Sequence, residues 1–115
     1  MIKILLPIRI VSVMNLREHY MIRAKRAKIH RSTAKIMLTQ WGLRSTLNTA
    51  LPLTVTLTRI ATRNLDDDNL QSGCKAARDG VADWLGLDDA DKRITWLYAQ
   101  AKGKAKEYGL MVEIA

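Results

Sequence analysis

Phenylalanine is absent from this chain of 115 residues, cysteine occurs once, and the first 65 residues hold a single acid, Glu18. Each scarcity excludes something. Without Phe, the large aromatic area rests on three Trp and three Tyr. With Cys74 alone, neither an internal disulfide framework nor a cysteine-rich zinc site can form. A reducing, cytoplasmic setting is therefore expected. No stretch reaches the roughly 18 apolar residues that a bilayer-spanning helix needs. The apolar start MIKILLPIRIVSV is interrupted by Lys3 and Arg9 and lacks a small-residue cleavage site, so neither a membrane nor a secreted protein is expected. Internal repeats and low-complexity segments are also missing.

What is present is a foldable but lopsided chain. Hydrophobic residues make up 48%, which argues against disorder. The length suits one domain over residues 1–115, with a core small enough to gain from dimerisation. The net charge is +8, yet residues 1–65 carry twelve Lys or Arg and one acid, whereas residues 66–115 carry seven bases and ten acids. Eight of the eleven acids lie between Asp66 and Asp91. A basic body with one acid cluster is what a polyanion-binding protein with a metal site requires.

The periodicities predict the order β-α-β-α-β-β, an α+β domain with helices packed on a small mixed sheet. Residues 2–14 read as a mostly buried strand, with Pro7 marking an edge position or a bulge. Residues 16–41 have helical spacing, with Tyr20, Ala24, Ala27, Ala34, Leu38 and Trp41 as the apolar stripe and Ser32-Thr33 as an interruption. Residues 53–60 alternate Leu53, Val55 and Leu57 against three threonines and Ile60. From Asp68 to Leu85 the stripe Leu70, Cys74, Ala77, Val81 and Trp84 or Leu85 predicts a helix stopped by Gly86. Residues 94–99 and 107–114 alternate again and read as an antiparallel hairpin.

NLDDDNLQ, residues 64–71, is the unusual stretch. Asp at a helix start caps free amides and complements the dipole, which accounts for one or two aspartates. Three in succession repel one another. They also offer oxygen ligands to a divalent ion, and Mg²⁺ takes one or two carboxylates together with waters and a substrate phosphate. In an extended lead-in to the helix, Asp66 and Asp68 point to the same side. A calcium EF-hand does not fit, because its required Gly and Glu fall on Gln71 and Ala77. Asp88, Asp89 and Asp91 follow the far end of a helix about 27 Å long, so they reach the first cluster only if the chain turns back or a partner subunit supplies them. Asp68, Ser72, Lys75 and Asp79 form one polar stripe, where Lys75 either stabilises charge on a phosphate or makes an ordinary pair with Asp79.

These residues resemble the RusA-type Holliday junction resolvases, many of them carried by phages. That signature runs from a strand into Asp-x-Asp-Asn opening a helix, then a Lys and an Asp within the helix, an Asp-Asp pair after it, and another strand. Here the matching residues are Asp66-Asp67-Asp68-Asn69, Lys75 and Asp79, Asp88-Asp89, and a strand from Ile94. Similarity is specific over residues 59–96 and weaker at Leu6-Pro7 and Asn15. The resemblance implies a Mg²⁺-dependent endonuclease cutting four-way junctions in paired symmetric steps, as a homodimer without a small-molecule cofactor. It implies Asp66, Asp68 and Asp89 as catalytic metal ligands that converge when the chain returns, with Lys75 as the essential lysine. One departure stands out: the family's lysine position is Ser72 here, and Lys75 lies about one turn further along the same face.

RAKRAKIHR, residues 23–31, supplies Arg23, Lys25, Arg26, Lys28 and Arg31 for sequence-independent phosphate contacts. Arg59 and Arg63, just before the aspartates, are expected to hold phosphates flanking the scissile bond. His19 and His30 are expected at the surface or facing DNA, Cys74 in the packing, and Trp41, Trp84 and Trp96 in the core or a dimer interface. Two alternatives stay open: a magnesium nuclease acting on other branched DNA, and a non-catalytic DNA-binding protein, which Ser72 favours.

Overall fold

The computed structural model describes residues 1–12, 19–42 and 52–115. Strand β1, Ile2–Leu6, alternates buried Ile2, Ile4 and Leu6 with exposed Lys3 and Leu5. Pro7 ends it, five residues in. Ile8 N donates back to Leu6 O at 2.9 Å across the proline, a three-residue turn that takes the chain out of the ladder. Residues 8–12 belong to no strand, although Ile8 and Ile10 still enter the core. The strand expected over residues 2–14 is therefore much shorter, and its last two positions lie outside the described residues.

Helix α1, Tyr20–Trp41, runs unbroken through Ser32 and Thr33. The His19 imidazole caps it, accepting from Met21 N at 3.2 Å. The expected start at residue 16 lies outside the described residues. Strand β2, Leu53–Ala61, buries every second residue, as its alternation predicts. Helix α2, Asp67–Leu85, turns Leu70, Cys74, Ala77, Val81, Trp84 and Leu85 to the core. It ends in Gly86 at φ 72°, ψ 26°, with Gly86 N donating to Asp83 O and Leu87 N to Ala82 O, the double closure that a left-handed glycine allows.

Strands β3, Ile94–Lys102, and β4, Gly109–Ile114, do not form the expected hairpin. The sheet order is β1-β4-β2-β3, with β3 parallel to β2 and β4 antiparallel to both β1 and β2. β2-α2-β3 is thus a crossover unit, and the turn after β3 carries the chain past the end of β2, where Gly103 N donates to Ala61 O at 2.9 Å. The physical reason lies in β2, whose Val55 and Leu57 are fully buried and need a strand on each side. A β3–β4 hairpin would leave one of its edges open.

One core joins both helices to one face of the sheet. α1 meets this body through His30, Ala34 and Leu38 only. Four residues of its expected stripe stand outside the core: Ala24 and Ala27 are exposed, Tyr20 is 72% exposed and Trp41 is 67% exposed. Close contact is confined to the stretch facing Gly80 of α2, where an added Cβ would collide with Arg31 O and the Ala34 methyl. No helix among the described residues is long and apolar enough to cross a membrane.

Candidate functional site

The start of α2 is organised around Asp66, its N-cap. Asp66 Oδ1 accepts from Asn69 N at 3.0 Å and from Asn69 Nδ2 at 2.7 Å. The buried Asn69 amide also accepts from Ser12 Oγ at 2.6 Å, which ties the segment after β1 to the first turn of the helix. The capping explanation therefore holds for Asp66. Asp67 and Asp68 stand exposed in the first turn, where the helix dipole favours their charge. This Ser12–Asn69–Asp66 chain is invisible to sequence reading, because its members are 57 and 3 residues apart.

The second group of acids has a different fate. After Gly86 the chain returns along α2, and Asp89 Oδ2 meets Lys75 Nζ at 2.6 Å. Lys75 also donates to Asp79 Oδ1 at 2.8 Å, so both the ordinary helical pair and a contact to the return loop exist. Hydrogen bonds to Asp79 and Asp89 raise the Lys75 pKa, and the bond from Lys75 lowers that of Asp89. Arg78 adds a second cation. It donates to Tyr98 OH and Asp89 O, lies over the Trp96 ring at 4.7 Å, and brings its buried Nε to 3.1 Å from Asp89 Oδ2 without an aligned hydrogen bond. Trp96 Nε1 donates to the same Asp89 carbonyl at 2.9 Å. Asp88 and Asp91 close turns onto Ala90 and Arg93, and hydrogen bonds from Arg93 bring the Asp91 carboxyl down to about 2.

The expected convergence of Asp66, Asp68 and Asp89 does not occur within one chain. Lys75, which holds Asp89, lies about 10 Å of helix axis beyond Asp68. Among the described residues no group of three or more His, Cys, Asp or Glu could hold a metal ion. The turn at Gly86 returns the chain only part of the way. The three carboxylates implied by the resemblance thus do not fit a single Mg²⁺ here, and Asp89 is instead matched with two cations.

The basic residues also divide. Arg23, Lys25, Lys28 and Arg31 are exposed on α1, Arg26 is half-buried, and Arg63 is exposed after β2. Arg31 makes a two-pronged bond to Asp83, 2.7 and 2.9 Å, that fastens α1 to α2. Arg59 does not face DNA: it is 7% exposed, and its side chain donates to Ile10 O at 2.9 Å and Arg63 O at 2.6 Å. It occupies the buried parity of β2, in register with Leu53, Val55 and Leu57, so it bolts residues 8–12 to the sheet. Gln100 completes this corner through Leu65 N and O, both at 2.8 Å.

His30, expected at the surface, is buried at the seam of the two helices, where burial and the Arg26 charge lower its pKa. Beside it a pocket of about 320 Å³ is lined by Arg23, Arg26 and Ala27 from α1 and by Ser72, Gly73 and Lys75 from α2. Both the position that the resemblance gives to a lysine and the lysine one turn later therefore face this pocket. Cys74 is fully buried, and burial pushes its thiol up to about 12, consistent with a packing role. Trp84 belongs to the core, and Trp96 packs against it half-buried.

No family model matches this chain, and no curated protein and no solved structure is significantly similar to it.

Proposed function

We propose that the protein binds DNA through α1, with branched DNA such as a four-way junction as its substrate and a homodimer as its working form. One observation carries this reading: Arg23 and Arg26 of the basic helix line the same pocket as Ser72 and Lys75 of the helix that begins at the aspartates. Phosphates attracted by α1 are thereby led toward α2. Exposed Lys25, Lys28 and Lys35 extend the positive surface, in a half of the chain with one acid in 65 residues. A two-fold dimer suits the near two-fold symmetry of a four-way junction.

A second reading, resolvase-type cleavage with Mg²⁺, is favoured by exposed Asp68 beside Asp66 at the helix start. Asp66 and Asp68 would then hold the ion without Asp89, within the one or two carboxylates common for Mg²⁺.

The test is to incubate the protein with a synthetic four-way junction and matched linear duplex, in Mg²⁺ or EDTA. The binding reading expects junction complexes in EDTA that weaken steeply with salt, and intact strands in Mg²⁺. Symmetric nicks that need Mg²⁺ and vanish in Asp68→Asn would put the second reading first. Failure to hold either DNA at low salt would overturn both.

A further inference from the structure

α1 carries three isoleucines that its own chain leaves uncovered. Ile22, Ile29 and Ile36 are 54%, 51% and 55% exposed. They are spaced seven apart, which places them almost in line along a 3.6-residue helix. The face that packs on α2 is centred on His30, Ala34 and Leu38, so the isoleucine line looks away from α2. Seven-residue spacing of branched apolar side chains is the pattern that one helix offers to another.

The spacing also selects the occupant. Ile22 and Ile36 lie equally far from Ile29, so a two-fold axis at Ile29 maps the line onto itself. In an antiparallel pair, Ile29 would meet the partner's Ile29, and Ile22 the partner's Ile36. The charges on the same flank agree with that direction. Lys25 and Arg26 would face the partner's Thr33 and the partner's Ser32, without like charges in opposition. A parallel pair would set Lys25 against the partner's Lys25 and Arg26 against the partner's Arg26, a repulsion with no acid nearby to relieve it. Such self-complementarity about a two-fold axis is the property of an isologous interface.

We infer that the Ile22–Ile29–Ile36 line of α1 is a self-association surface, on which a second copy of this chain docks antiparallel about Ile29. The inference does not rest on the DNA reading, and it holds or fails without DNA present. Stable interfaces bury roughly 1,200–2,000 Å² in total. Three isoleucines from each copy supply only part of that, so the pair is a concentration-dependent one, with a dissociation constant on the order of micromolar.

Sedimentation equilibrium across a hundredfold concentration range, combined with cysteine cross-linking, tests it. The unaltered protein should pass from monomer to dimer, and Ile29→Glu should stay monomeric while keeping its circular dichroism and thermal midpoint. That residue is exposed, so loss of folding would not explain loss of the dimer. With a short bismaleimide, Ile29→Cys should couple to itself. Ile22→Cys should not, because the two copies of that position would lie about 21 Å apart along the axis. A mixture of Ile22→Cys and Ile36→Cys should couple. The buried native thiol stays silent in each case. Monomers at every concentration, a dimer indifferent to Ile29→Glu, or self-coupling of Ile22→Cys would each overturn the inference.

Discussion

The two helices are close in length, 22 and 19 residues, but α1 buries three of its residues and α2 buries ten. α2 is the keel of the fold: it links the parallel strands β2 and β3, fills the core, and is touched by the segment after β1, by α1 and by the return loop. α1 leans on it through a narrow seam and gives the rest of its surface to solvent, lysine and arginine. Helical spacing alone does not distinguish these roles. A helix anchored along its whole face is structural, whereas one anchored at a few residues leaves most of its surface available for a partner.

Substitutions can widen or erase this difference, and the largest effect is expected in the keel. Leu70→Ala should cost about 2–5 kcal/mol in urea unfolding, because Leu70 is 3% exposed and its removal leaves a cavity under β2. Gly80→Ala should cost about 1–3 kcal/mol, since the new methyl enters the space of Arg31 O and Ala34 and pries α1 from α2.

Acidification should act first at the seam between the helices. The His30 pKa is lowered in the folded protein, so the unfolded chain takes up the proton first. Stability should then fall as pH drops through 6.5, the ordinary histidine value, and His30→Gln should flatten that decline in the urea midpoint. Asp89 and Asp83 have the opposite sign, with folded pKa values below the ordinary 3.8. Their contribution is present above 3.8 and disappears as pH falls below it. The smallest effect on stability belongs to the open face of α1. Lys25→Ala, Lys28→Ala and Lys35→Ala should each shift stability by no more than about 0.5 kcal/mol. If α1 meets DNA, each should reduce the salt slope of binding by about one.

β2 and α2 were legible in the sequence because each writes its environment in one clean period: strict alternation from Leu53 to Ile60, and a 3.6-residue stripe from Leu70 to Leu85. Strand partners were not legible. Residues 94–102 and 109–114 alternate like a hairpin, and only the need of β2 for two neighbours separates them. Arg59 could have been read correctly, since it has the parity of Leu57. Its type suggested phosphate, whereas its position made it a buried clamp. Asp89 was drawn into the acid set by spacing after a helix, while its cations, Lys75 and Arg78, come together only when the chain turns at Gly86. Ile22, Ile29 and Ile36 were passed over because residues 16–41 were read for the face that enters the core.

Cys74 offers a use unrelated to packing. It is the chain's only thiol, it sits at the centre of the keel, and its pKa is pushed up to about 12. Alkylating reagents at neutral pH meet it only when the core parts. The rate at which it is modified is therefore a clock for the opening of the molecule, readable by mass spectrometry without a dye or an engineered probe.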